Sequence, residues 1–288
     1  MYYSMIVVSV VMFGGCFLLN DVYRRMRGSS LMASMEAAFI GSLAGLAVFL
    51  IINGLSFEYT GFTLIMSLVA AVNGIAFTFL SFKALDYINL SLYSVFSMLG
   101  GMVLPFAAGI FFYGEKFTVA KAICLVFICA ALAVTVTRGE KKKGYIYYAG
   151  VFVMNGMSGV LAKLFNELPF EKTSAAGYSI WSSICTISIA AVVWLTLVIV
   201  KKERLPKYRI SGIAVLAVNG SANRVANFLL VLALLHVDAS VQYPMVTGGV
   251  MIVSTLICFF GDRKPSKREL ISVALSFVGL LALFLIPV

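Results

Sequence analysis

The chain has 288 residues, of which 61% are hydrophobic and 12% charged, and 22 Lys and Arg against 12 Asp and Glu give a net charge of +10. A soluble globular domain is about 45–50% apolar and about 25% charged, so this composition excludes a water-soluble enzyme, a disordered chain and, despite the charge, a nucleic-acid reader. The basic surplus fits Lys and Arg retained in the cytoplasmic loops of a membrane protein.

Ten apolar runs of helical length follow one another, at 3–20, 31–53, 62–84, 89–112, 118–137, 145–165, 174–200, 209–235, 239–260 and 268–286. Spanning a bilayer takes roughly 20 mostly apolar residues. Unpaired backbone groups are too costly in hydrocarbon for anything but helices or a closed barrel, and these runs are too long and too uniform for barrel strands. The expectation is an all-α integral membrane protein with ten transmembrane helices, at the plasma membrane. Met1-Tyr2-Tyr3-Ser4 has no positive stretch, and no small-residue cleavage site follows the first run, which therefore reads as a retained helix. Cys16, Cys124, Cys129, Cys185 and Cys258 all lie inside apolar runs without a C-x-x-C pair, so they read as small packing residues and no metal or other cofactor is expected.

The connections are short and polar: 21–30, 138–144, 201–209 and 262–269. Seventeen of the 22 basic residues fall in odd-numbered loops, four (Lys116, Lys121, Lys163, Lys172) in even ones, and Arg224 lies inside helix 8. Positive loops stay cytoplasmic. The count predicts odd loops inside and both termini outside.

The chain also repeats itself. Ala71-Val72-Asn73-Gly74 in helix 3 returns as Ala217-Val218-Asn219-Gly220 in helix 8, an offset of 146. Gly100-Gly101 in helix 4 returns as Gly248-Gly249 in helix 9, an offset of 148. Gly114-Glu115-Lys116-Phe117-Thr118 is echoed by Gly261-Asp262-Arg263-Lys264-Pro265-Ser266, an offset of 147. Two five-helix repeats, 1–140 and 141–288, follow. Five is odd, so the second repeat enters from the opposite face and the two are inverted, with a substrate site expected between them near mid-bilayer. In the loop motif Ser266 and Glu269 have capping-box spacing before helix 10. Thr118 can cap helix 5, and Glu115 and Asp262 put negative charge before helix N-termini. Gly114, Glu115, Thr118, Gly261, Asp262 and Ser266 thus read as a structural motif.

Ten helices in two halves, with Gly-Glu-Lys-x-Thr after helix 4 and Gly-Asp-Arg-Lys-Pro-Ser after helix 9, resemble the drug/metabolite transporter superfamily and its EamA-like ten-helix branch. The resemblance covers essentially the whole chain. It maps the family's Gly-Glu element to Gly114 and Glu115, and to Gly261 and Asp262. The aspartate departs mildly from the pattern, as does Cys124 where a glycine is common. The resemblance implies a central pocket lined by both halves and alternating access. It also implies cytoplasmic termini, opposite to the charge count. The glutamate that the superfamily's small multidrug exporters carry in helix 1 has no equivalent here.

Polar groups inside the runs point to the site. Arg224 lies near the middle of helix 8, where a charge is costly and marks function by default. No acid is predicted at its depth: Glu36 starts helix 2 and Asp86 ends helix 3. An anionic substrate group, such as a carboxylate, is the expected counter-ion, with a structural pairing to Glu36 or Asp86 as the alternative. Asn219, Asn223 and Asn227 recur every four residues beside it. The twin of Arg224 at offset 146 is Thr78, which leaves one side of the pocket uncharged; Asn73 is the first-half candidate. Ser91, Ser94 and Ser97 share a face of helix 4, with helix–helix contact as their competing reading. Gln242 and Tyr243 precede Pro244, which frees a backbone carbonyl, and Asn155 is a further candidate. Trp181 and Trp194 read as packing or interface anchors, and His236 beside Asp238 as a structural loop residue.

These features predict a secondary transporter of a small polar metabolite that carries a negative group, binding substrate through Arg224, Asn223, Asn219, Asn227, Asn73, Ser94, Gln242, Tyr243 and Asn155. Its partners would be the substrate and the lipid bilayer, with monomer or homodimer left open. A multidrug or cation exporter of the same fold is the alternative. A membrane enzyme would need clustered acids, histidines or metal ligands that the sequence lacks. A scaffold protein would tolerate replacement of its mid-helix polar residues.

Overall fold

A computed structural model describes residues 2–54, 56–113, 118–135, 144–200, 210–234, 236–237, 239–261 and 264–286. Gly114, Glu115 and Asp262 lie outside the described residues, as do the side chains of Gln242 and Tyr243.

The described residues form ten α-helices: α1 (Tyr2–Arg27), α2 (Leu31–Ile52), α3 (Gly61–Tyr87), α4 (Leu90–Tyr113), α5 (Val119–Thr135), α6 (Tyr145–Glu167), α7 (Ala175–Ile199), α8 (Ile210–Leu234), α9 (Ala239–Phe259) and α10 (Lys267–Leu285). Seven are long and apolar enough to cross a membrane: α1, α2, α3, α4 over Leu90–Gly109, α6, α7, and α8 over Ile210–Leu230. The apolar described segments of α5 and α9 are shorter, at Ala122–Ala131 and Met245–Phe259. Large apolar side chains such as Val7, Leu43, Ile65, Val72, Val192 and Val218 are exposed along these helices, as a lipid-facing surface requires.

Helix ends follow local chemistry. The expected loop 21–30 is largely helical. Asp21 bonds Arg24 at 2.7 Å and Arg25 at 2.9 Å one turn on, and such i,i+3 and i,i+4 pairs favour two further turns. Gly28, at φ +78°, then ends the helix in the left-handed region that glycine enters without penalty. Ser30, Thr60 and Ser174 cap α2, α3 and α7 through their side chains. The expected capping box at α10 is present in both directions, Ser266 with Glu269. Thr118 directly precedes α5, and its carbonyl accepts from Ala122 N at 3.0 Å.

Packing closes eight helices into a ring, in the order α1, α9, α4, α6, α3, α7, α2, α8 and back to α1, with α5 and α10 paired outside it against α4 and α9. Adding five to each helix number carries this ring onto itself. Two individual contacts do the same. A Cβ on Gly14 of α1 would overlap Val253 of α9, and one on Gly159 of α6 would overlap Pro105 of α4, at sequence offsets of 145 and 148. Glycine at these crossings lets backbones approach closely, the main source of helix affinity where lipid removes the hydrophobic drive.

The two ends of the ring differ. The end that gathers Arg24, Arg25 and Arg27, here the positive end, is bridged across the interior. Arg24 of α1 pairs with Asp86 of α3 at 2.7 Å. The Tyr23 and Phe82 rings lie 5.9 Å apart, Phe17 meets Tyr93 edge-on at 5.1 Å, and the Tyr93 hydroxyl donates to Ser81 Oγ at 2.9 Å. Asn89 at the start of α4 donates to Glu269 of α10 at 2.7 Å. At the opposite end α6 makes no comparable contact with α8 or α9 among the described residues. There the α2–α3 connection is tied to α7: Glu58 accepts from Ser174 N at 2.5 Å and Ser174 Oγ at 3.0 Å, and its carbonyl accepts from Trp181 Nε1 at 2.7 Å.

Candidate functional site

Helix α8 carries the candidate residues, and its neighbours sort them. Asn219 and Ala226 face α1: Asn219 Nδ2 donates to Asn20 Oδ1 at 2.9 Å, and Ser9 Oγ donates to the Ala226 carbonyl at 3.1 Å. Gly220 and Arg224 face α2 at Gly41 and Gly45. At about 100° per residue, Asn223 and Asn227 fall in the wedge between those two faces, toward the ring interior. Leu216 occupies the same wedge nearer the positive end and is fully buried in a cluster with Tyr23, Ala37 and Phe82. Asn223 and Asn227 are exposed. The interior is therefore filled beside Leu216 and accessible beside the two asparagines. Asn227 Nδ2 donates to the Asn223 carbonyl at 2.7 Å and to its Oδ1 at 3.2 Å.

Arg224 is half-buried. Its stem lies against Gly45, and its guanidinium carbon stands 5.8 Å from the centroid of the buried Phe49 ring. Tyr178 of α7, stacked on Phe165 of α6 at 4.3 Å, is the titratable group within electrostatic reach. Arg224 makes no ion pair among the described residues. Glu36 and Asp86, the alternative partners from the sequence, are engaged at the positive end. Glu36 is buried and holds Arg27 at 2.7 Å and the Tyr23 hydroxyl at 2.8 Å. Asp86 holds Arg24 and also accepts from Ser29.

Asn73, Asn155 and Ser94 lie in helix contacts. Asn73 is buried and its Nδ2 donates to the Met154 carbonyl at 3.0 Å and to Ser158 Oγ at 2.8 Å, joining α3 to α6 as Asn219 joins α8 to α1. Asn155 Nδ2 donates to the Ser97 carbonyl at 2.6 Å, joining α6 to α4. Ser94 is fully buried and donates to the Ser91 carbonyl at 2.7 Å, while Ser91 Oγ meets Thr255 Oγ1 of α9 at 2.8 Å. Thr78 donates to the carbonyl of Gly74 at 2.9 Å. The expected single stripe of three asparagines thus divides, with Asn219 turned to α1 and Asn223 and Asn227 toward the interior. His236 stacks on Tyr2 at 3.9 Å.

Sequence reasoning missed Gly45, Phe49 and Tyr178. The G-x-x-x-G spacing of Gly41 and Gly45 signals a close helix crossing, but nothing in the sequence says that an arginine fills it. Tyr178 sits in the first turn of α7 with no periodicity to mark it.

No protein-family model matches the chain, and no curated protein does. Twenty-seven solved chains match its structure. One, described only as a crystal structure of a protein, matches at a TM-score of 0.61 and 16% identity, over 96% of this chain and 94% of its own. At that identity the likeness shows the fold alone.

Proposed function

We propose that this chain is a secondary transporter in the plasma membrane that carries a small polar metabolite bearing a carboxylate or other anionic group. It would work by alternating access at a central pocket between two inverted five-helix repeats, in the manner of the EamA-like drug/metabolite transporters that its loop motifs resemble. The architecture in this reading is ten transmembrane helices, with the positive end in the cytoplasm and both termini outside. The mapping of the eight-helix ring onto itself, with its paired glycine contacts, supports the inverted repeat. The bridged positive end and the exposed Asn223 and Asn227 support a state open away from the cytoplasm. The chain acts by moving its substrate and does no chemistry on it.

One observation carries the substrate class. Arg224 lies at membrane depth without an acidic partner among the described residues, while Asp21, Glu36 and Asp86 are consumed by Arg24, Arg25 and Arg27. An arginine in that position is costly, and a planar oxyanion that accepts two parallel N–H donors offsets the cost. Asn223 and Asn227 add amide groups for the rest of a polar substrate.

The test is thermal-shift and proteoliposome uptake measurement on purified protein, wild type against Arg224→Ala, over a panel of organic acids, amino acids and amines. Anionic compounds are expected to stabilise the wild type and to lose that effect in the variant. Equal shifts by anions and amines in both proteins would overturn the anion site.

A further inference from the structure

What holds Arg224 in place carries a second conclusion. Along the face of α2 that meets α8, Gly41, Gly45 and Phe49 recur every four residues. A Cβ on Gly220 of α8 would overlap the Gly41 carbonyl, so the two backbones touch there. One turn further, Gly45 is buried, and a Cβ on it would stand 2.7 Å from Arg224 Cγ and 3.1 Å from Arg224 Nε. The arginine stem therefore occupies the volume that any other residue at position 45 would fill. One turn further still, the buried Phe49 ring lies 5.8 Å from the guanidinium carbon.

We infer that Gly45 and Phe49 are positioning residues for anion recognition, a groove and a platform that fix the guanidinium of Arg224 and leave its in-plane N–H groups for the two oxygens of a planar carboxylate. This rests on Arg224 as the substrate-binding residue proposed above. The groove removes the rotamer freedom that an arginine otherwise loses on binding. The ring attracts the cation within the range of a cation–π contact, and the guanidinium presents its donors as a planar fork. A lysine at 224 would thread the same groove but present a point charge without the fork.

The experiment uses the full-length protein in detergent with acetate as the carboxylate probe, inorganic phosphate as a second oxyanion and chloride as the spherical control. Two readouts are taken: thermal shift, and modification of Arg224 by phenylglyoxal followed peptide by peptide. In the wild type, acetate is expected to protect Arg224 better than chloride. Gly45→Ala is expected to weaken that protection at least about tenfold, the scale of a lost charge-assisted hydrogen bond. Phe49→Leu should weaken it by roughly 2- to 10-fold, and Phe49→Tyr, which keeps the ring, should restore it. If Gly45→Ala yields no folded protein, the Phe49→Leu and Phe49→Tyr pair decides. Wild-type protection in Gly45→Ala or Phe49→Leu, with the anion shift lost in Arg224→Ala, overturns this inference and leaves the anion site standing. An acetate shift unchanged in Arg224→Ala overturns the site itself.

Discussion

Arg24 of α1 and Asp86 of α3 form an ion pair at 2.7 Å across the interior of the helix ring, although the two helices are not neighbours in it. A bridge between non-neighbours closes a passage. The same Asp86 accepts from Ser29 in the short α1–α2 connection, so the closure also holds that connection down.

Asp86→Asn is expected to loosen this closure at little cost in stability. The Asp86 side chain is 35% exposed, and a partly solvated pair contributes at most about 1 kcal/mol. Accessibility is the sensitive readout. Asn223→Cys in an otherwise cysteine-free protein should react severalfold faster with an impermeant thiol reagent from the positive end once Asp86 is changed. An unchanged rate would show that the aromatic contacts of Tyr93 and Phe17 suffice to seal it.

Glu36 is a different case, because it is buried under Tyr23 and Arg27. Glu36→Gln removes the charge that faces Arg27, whose side chain is 24% exposed and can turn partly to water. The expected loss is about 1–3 kcal/mol. Tyr23→Phe, which deletes the hydroxyl's bond to Glu36, should cost about 1 kcal/mol. Thermal unfolding of the two single variants and the double one, with coupling between them, checks this.

Asn219 and Asn227 stand two turns apart on one helix and should behave oppositely. Asn219→Leu deletes the bond to Asn20 between α8 and α1 and is expected to lower stability by about 0.6–2 kcal/mol while leaving substrate preference intact. Asn227→Leu affects an exposed side chain and should leave melting unchanged while altering transport selectivity. Unfolding curves and competition uptake on the same preparations separate the two effects.

Gly220→Ala and Gly74→Ala are substitutions at matching positions of the repeated motif. A Cβ on Gly220 would overlap backbone atoms of Gly41, whereas one on Gly74 would meet no atom within 4 Å. The first should cost at least the about 1–3 kcal/mol of overpacking, because backbone cannot step aside as a side chain can. The second should be tolerated. Monodispersity and melting temperature in detergent provide the comparison.

The helices were legible because run length alone marks them in so apolar a chain, and the boundaries fell within a residue or two wherever no charge intervened. The end of α1 was not legible as helix: 21–27 looks like a polar loop until Asp21 is seen bonding forward to Arg24 and Arg25. The capping box at Ser266 was readable because both of its bonds are local. The ring order was not readable, since in lipid the choice of neighbour depends on close contacts such as Gly14 with Val253 and Gly159 with Pro105, which no periodicity reports. Arg224 stood out as a charge near the middle of an apolar run. Its seat stayed hidden because Gly45 acts by having no side chain. The asparagines of α8 illustrate the same limit: spacing puts three on one broad face, but only the positions of α1 and α2 decide that Asn219 is spent on a neighbour while Asn223 and Asn227 are not.

The contact of Gly220 with Gly41 has a mechanical consequence. With backbone against backbone and the stem of Arg224 wedged one turn beyond, α2 and α8 cannot slide past each other and must swing as a single stiff arm that carries the charge with it. The matching glycine of α3, Gly74, makes no such backbone contact. Any rocking of the molecule would then turn α2 and α8 together as one limb.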